Sequence, residues 1–194
     1  MEKAYVIGIA GGTQSGKSTF TKELENTLQN IKFKTFHLDD YHKPKNELPT
    51  AEAPITKITY TDFNQINSFN LHQLHLDLKK EIENNVVDVI ILEGTLILYD
   101  SEILNILDLK LYVETQADER AIRYIELYSQ HHGHEFIKNS YLDLVRYRMD
   151  EYVEPTKWRA DIILNGSSKS MHVIEIIKAY LLTKIKNISD KGKT

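Results

Sequence analysis

The chain has 194 residues, 41% hydrophobic and 27% charged, proportions that exclude a disordered or fibrous protein and suit one compact domain with a sizeable core. Its 24 Lys and Arg against 28 Asp and Glu leave a net charge of −4, which argues against a surface devoted to nucleic acid or anionic lipid. Without cysteine, disulfides, thiolate catalysis and cysteine-ligated zinc are excluded, and the absence of any membrane-length apolar run or basic leader makes a cytoplasmic protein, with no membrane partner, the expectation.

In chain order, Ala4 to Ala10 is a short apolar run rich in β-branched residues, the pattern of a central strand buried on both faces. Phe20, Leu24 and Leu28 recur at spacing four and predict a helix over Thr19 to Gln29, and Thr35 to Leu38 reads as a second strand. From Asp39 to Phe69 periodicity is lost and three of the four prolines fall at 44, 49 and 54; such a stretch in a compact domain is usually a functional loop. Leu71, Leu74, Leu78 and Ile82 mark the next helix, and Val86 to Leu92 a third buried strand. Glu102 to Leu107 is a short predicted helix, Leu109 to Val113 a fourth strand, and Ala117 to Tyr128 another helix. The polar segment Tyr128 to Phe136, around Gly133, reads as a lid, and a helix over Tyr141 to Val153 is ended by Pro155. Ala160 to Leu164 is the fifth strand, Asn165 to Ser168 a turn, and Val173, Ile176, Ile177, Tyr180 and Leu181 define a closing helix before a polar tail over about 187–194. Trp158 is expected to pack rather than to stack on a substrate. Alternation of this kind predicts one α/β domain over 1–194, a five-stranded parallel sheet between helices on both faces, with a helical lid over about 120–137.

Between the first strand and the first helix stands Gly11-Gly12-Thr13-Gln14-Ser15-Gly16-Lys17-Ser18, a P-loop pattern in the strand–loop–helix setting that it requires. The fold class is therefore α/β of the P-loop NTPase type, three layers deep. Glycines let backbone N–H groups converge on phosphate oxygens, and the helix N-terminus adds partial positive charge. Lys17 is expected to bridge the β- and γ-phosphates, Ser18 to offer its hydroxyl to magnesium, and Thr19 to extend the first helical turn. ATP and Mg2+ are the cofactors implied. No Asn-Lys-x-Asp segment reads guanine, no Leu-Ser-Gly-Gly-Gln segment marks a transporter ATPase, and the chain is too short for paired helicase domains. A kinase acting on a small molecule fits what is left.

Ligands of open α/β sheets bind beyond the carboxyl ends of the strands. Two such ends carry acids: Asp39-Asp40 after the second strand and Glu93 after the third. Phosphoryl transfer to an alcohol needs a carboxylate to orient the hydroxyl and an acid to hold magnesium directly or through water. Asp39 suits the first role and Glu93 the second, although Asp39 and Asp40 also have the composition of a turn or cap. Arg120 and Arg123 share a helix face leading into the lid and suit stabilisation of the transferring group; an ion pair such as Glu119 with Arg123 is the alternative reading. His131, His132 and His134 lack a common direction and a spaced carboxylate, so a metal site is not expected there.

These residues resemble the uridine kinase and phosphoribulokinase group of P-loop kinases. The resemblance runs through nearly the whole chain: Gly8 to Gly12, Asp39-Asp40-Tyr41, Asp62-Phe63-Asn64 through Ser68-Phe69-Asn70, Ile91 to Gly94, Leu107 to Lys110, and Tyr152 to Lys157 leading into Ala160 to Ile163. It implies that Asp39 is the catalytic carboxylate, Lys17 and Ser18 nucleotide and magnesium contacts, Glu93 a metal-linked acid, and Arg120 and Arg123 part of an arginine-bearing lid. Asp39, Tyr41, Asn64 and Glu93 are the expected substrate contacts, and the implied reaction is transfer to the 5′-hydroxyl of uridine or cytidine.

The sequence also departs from that group. Glu83-Asn84-Asn85 joins the second helix to the third strand where a pyrimidine-recognising hairpin is usual, Asn64 and Asn70 stand where aspartates are common, and Tyr124, Leu127 and His134 occupy lid positions expected to be basic. Nicotinamide riboside kinases also resemble the Asp39 to Pro44 segment and tend to lack the hairpin. A nicotinamide riboside or other small-alcohol kinase is the alternative, and a nucleotide-binding regulator without transfer activity is a further one.

Overall fold

A computed structural model describes residues 4–28, 31–168 and 171–191, with side chains through residue 185. Its strands are β1(Tyr5–Gly11), β2(Phe33–His37), β3(Thr50–Glu52), β4(Thr59–Thr61), β5(Val89–Glu93), β6(Leu109–Glu114) and β7(Ile162–Asn165). Five of them form one parallel sheet in the order β2-β5-β1-β6-β7, and β3 pairs antiparallel with β4 as a separate hairpin.

Central β1 is buried throughout, and its alternation divides the core. Tyr5, Ile7 and Ile9 pack with Leu24 and Leu28 from the α1(Lys17–Thr27) side and with Ile174, Ile177 and Leu181 of α7(Met171–Lys191). Val6 and Ala10 pack with Leu74 and Leu78 of α2(Leu71–Asn84), Ile103 of α3(Ser101–Ile106), Met149 and Val153. The sheet is thus covered on both faces, as continuous apolar strands require. Strand β1 has β5 on one side and β6 on the other, so the loop leaving its carboxyl end sits where the strand order reverses, the place where open α/β sheets bind ligands.

Several boundaries differ from the sequence reading. Helix α1 starts at Lys17 itself, and Gln29 lies outside the described residues. The stretch from Asp39 to Phe69 contains a 3-10 turn over Leu38–Tyr41, the β3–β4 hairpin and a 3-10 turn over Ile66–Ser68; strands of three residues are too short to show alternation. The lid segment is helical: α4(Ala117–His132) runs to a break at Gly133, where φ is +79°, and α5(His134–Ser140) follows.

Beyond it the chain stays helical, with α6(Arg146–Arg148) between two π-turns over Tyr141–Val145 and Met149–Val153. This run ends at Val153, as Pro155 predicts, and Pro155 sits in the first turn of the 3-10 turn over Glu154–Arg159 that follows, where no N–H partner is needed. Helix α7 buries Ile174, Ile177 and Leu181 and leaves Ile176 and Tyr180 exposed, a one-residue rotation from the expected face. It continues to Lys191 over much of the expected polar tail; residues 192–194 lie outside the described residues. Trp158 is 80% exposed, so it does not pack into the core; Lys157 Nζ lies 5.5 Å from its ring centre.

Candidate functional site

Gly16, at the start of α1, has φ +96°, a left-handed conformation that glycine adopts without strain. Ser15 N–H donates to the Gly12 carbonyl at 3.1 Å and closes the loop on itself. A methyl group at Gly12 would lie 1.8 Å from Arg120 Nη1, so a side chain there would displace that guanidinium. Arg120 comes from α4 and is 3% exposed; its Nη2 donates to Glu154 Oε1 at 2.9 Å, while Nε and Nη1 have no hydrogen-bond partner among the described residues. Ser15 Oγ is likewise buried without one. Buried donors left unpaired are costly, and here they border a cradle of backbone amides, the donor set an oxyanion needs.

Arg123 holds the loop from another side, donating from Nη1 to the Gln14 carbonyl at 3.2 Å and the Gly166 carbonyl at 3.4 Å and pairing with Glu119. The ion pair of Glu119 with Arg123, the alternative reading of this helix face, is thus formed, and the same guanidinium also braces the loop through backbone carbonyls. Thr115 Oγ1 donates to the Ser15 carbonyl at 2.8 Å, and Thr13 N–H points to Met149 Sδ at 3.4 Å. Beside the loop opens a cavity of about 460 Å³ whose lining includes Gln14, Thr19, Phe20, Arg123, Leu164 and Gly166.

Lys17 is 8% exposed and donates from Nζ to the Gly12 carbonyl at 3.1 Å. Burial lowers its pKa, the charges of Glu93 and Asp39 oppose that shift, and Arg120 adds to it. Glu93, 6% exposed, receives Ser18 Oγ on Oε1 at 3.4 Å and contacts His37 Nδ1 through Oε2 at 2.8 Å. The charges of both strand-end carboxylates expected from the sequence thus act on Lys17, and Glu93 lies within reach of Ser18 at the start of α1. Hard oxygen donors at Ser18 and Glu93 beside a phosphate cradle fit a magnesium nucleotide.

Asp39 lies on the exposed 3-10 turn after β2. Tyr128 of α4 has its phenol pKa raised by burial and then by the Asp39 charge, with a Gln14 hydrogen bond acting the other way. Tyr124, one of the lid positions without an arginine, stacks near Tyr128 and Tyr141 with ring centres 4.6 and 5.2 Å away, and its phenol is pushed up to about 12, chiefly by burial. Tyr41 is directed elsewhere: its hydroxyl donates to Asp77 Oδ2 of α2 at 2.9 Å, beside a separate cavity of about 360 Å³ with no loop residue in its lining. Asn64 is placed through its backbone, whose N–H donates to Asp62 Oδ1 at 2.9 Å. Asp62 is fully buried and accepts from Arg148 Nε on Oδ2 at 2.6 Å. Glu154, Met149, Asp62, Arg148 and His37 are the site residues that sequence reasoning did not single out for a role, although Glu154 and Asp62 lay in motifs quoted for the resemblance and His37 in the second predicted strand.

The model of the phosphoribulokinase / uridine kinase family matches residues 64–171, more than half of the chain, and full-length relatives extend the likeness across the loop. A uridine kinase of Brevibacillus brevis is 32% identical over 97% of this chain and 95% of its own length. One of Clostridium novyi is 31% identical over the whole of both chains. The chain belongs to the phosphoribulokinase / uridine kinase family. Solved structures agree on the fold: a Thermus thermophilus protein superposes with a TM-score of 0.57 at 21% identity, covering 94% of this chain and 98% of its own. A protein of Silicibacter sp. TM1040 gives 0.60 at 17% identity over 84% and 90%. This family member is a small-molecule kinase, a transferase with a P-loop nucleotide site. No described helix is long and apolar enough to cross a membrane.

Proposed function

We propose that this kinase transfers the γ-phosphoryl group of magnesium-bound ATP to the 5′-hydroxyl of a nucleoside, uridine or cytidine. The convergence of buried Lys17 with Glu93 and Asp39 at the strand ends carries the reading of the chemistry, and the likeness to full-length uridine kinases supports the choice of acceptor. Lys17 and the amides of Gly12 to Ser18 hold the triphosphate; Arg120 and Arg123 brace the loop and add positive charge where negative charge accumulates. The cavity beside Phe20 and Arg123 receives the base of the donor nucleotide.

Ser18 and Glu93 would hold a magnesium ion, which would supply neutralisation of phosphate charge. Asp39 orients the acceptor hydroxyl and takes its proton as the new O–P bond forms and the bond to the leaving diphosphate breaks. Tyr128 closes the acceptor side opposite Asp39 and helps keep water from competing. The acceptor wall includes Asn64, whose amide bonds a hydroxyl without charge assistance.

The test is substrate-dependent ADP release with uridine, cytidine, nicotinamide riboside and simple sugar alcohols, with products identified by mass. Phosphorylation of uridine or cytidine is expected, and Asp39→Asn should bind ATP normally while losing about two orders of magnitude in turnover. Wild-type turnover in that variant would remove Asp39 from the mechanism. Transfer only to nicotinamide riboside or a sugar alcohol would replace the acceptor, and ATP binding without transfer to any of them would point to a regulator.

A further inference from the structure

The parallel ladder places His37 of β2 directly opposite Glu93 of β5. Alternation sends both side chains to the α1 face: on β2, Thr35 donates to Glu25 of α1, and on β5, Val89 and Ile91 pack in the core that contains Leu24. The two residues are 56 apart in sequence, yet Nδ1 of one lies 2.8 Å from Oε2 of the other. An imidazole can bond an ionised carboxylate only by donating, so Nδ1 carries the proton. Oε1, the remaining oxygen, is left facing Ser18 Oγ at 3.4 Å.

We infer that His37 is a positioning residue for Glu93: it clamps one carboxylate oxygen so that the other is presented to Ser18 and to the divalent cation. The inference rests on the proposed role of Glu93 as the metal-linked acid. Glu93 ends an apolar strand, its carboxylate meets Ser18 on one oxygen and His37 on the other, and without the His37 tether it would lose order each time the cation departs. Outer partners of metal-holding groups commonly control affinity by about ten-fold or more. His37 sits on the open edge of the sheet with its side chain 43% exposed, so replacing it opens no core cavity.

Mn2+ titration of the ADP-saturated full chain, followed by electron paramagnetic resonance, tests this, with metal-free ADP affinity measured by calorimetry in chelator. His37→Ala should weaken Mn2+ binding about ten-fold and leave metal-free ADP affinity unchanged. His37→Asn, whose amide can donate from nearly the same place, should recover most of the loss; His37→Phe replaces alanine in the comparison if that variant does not fold. Glu93→Gln, run in parallel, separates the two assignments. Weakened Mn2+ binding in Glu93→Gln but wild-type binding in His37→Ala overturns the role of His37 alone, whereas wild-type binding in both overturns the Glu93 assignment beneath it. Equal losses in the alanine and asparagine variants, or a parallel fall in metal-free ADP affinity, overturn the positioning role as well.

Discussion

At Lys17 two demands oppose each other. The ammonium must meet phosphate in a site closed to water, yet before nucleotide binds it is buried, with burial lowering its pKa and only Glu93 and Asp39 compensating. Folding therefore carries a cost at this residue that ligand binding offsets, and the two can be separated. Lys17→Met should raise the thermal midpoint of the nucleotide-free protein, a gain of about 1 kcal/mol or more, and remove the further rise that ATP with magnesium produces in the wild type. Differential scanning calorimetry with and without nucleotide measures both; an unchanged nucleotide-dependent rise would contradict the phosphate-cradle reading. The P-loop itself was legible because its chemistry is local: eight consecutive residues specify backbone geometry and the lysine together. Asn70 was not, for the opposite reason. Its side chain accepts from Gln73 N–H and caps α2, a task that an amide performs as well as a carboxylate.

Among the elements, the β3–β4 hairpin is hard to see in sequence yet is tied by side-chain bonds to a distant part of the chain. Tyr60 and Thr56 both donate to Asp143 Oδ2, at 2.8 and 3.0 Å, and the buried Asp62 just after β4 pairs with Arg148. These bonds tie the hairpin to the helical run that also presents Met149 to the loop and Glu154 to Arg120. Asp143→Ala removes two of the ties while leaving the Asp62 pair, and should cost about 1–2 kcal/mol. Hydrogen exchange should show the loss confined to faster opening of the hairpin amides from Ala51 to Tyr60, with the β1 and β5 amides still exchanging only through global unfolding. Helices α1, α2 and α7 could be placed from periodicity because each buries a single stripe. The hairpin and the π-turns could not, since their conformations answer to partners more than eighty residues away in sequence.

Across the whole molecule, one sheet supports both the core and the site. Leu92 is fully buried in β5, immediately before Glu93 and on the opposite face. Leu92→Ala should lower unfolding free energy by about 2–5 kcal/mol, read by urea denaturation, with a single transition whether followed by far-ultraviolet dichroism or by the intrinsic fluorescence of Trp158. Separate transitions by the two probes would show that the sheet and the Glu154–Arg159 turn do not unfold as a unit.

By itself the sequence determined the α/β class, the loop with its lysine, and the acids at two strand ends, because alternation, helical period and a contiguous phosphate motif are written in neighbouring residues. Only the tertiary structure decided which partners those groups have: His37 on Glu93, Arg120 beneath Gly12, Arg148 on Asp62 and Tyr41 turned toward α2. Parallel register and helix packing set these pairs through the apolar core, and their spacing along the chain carries no local signal of them.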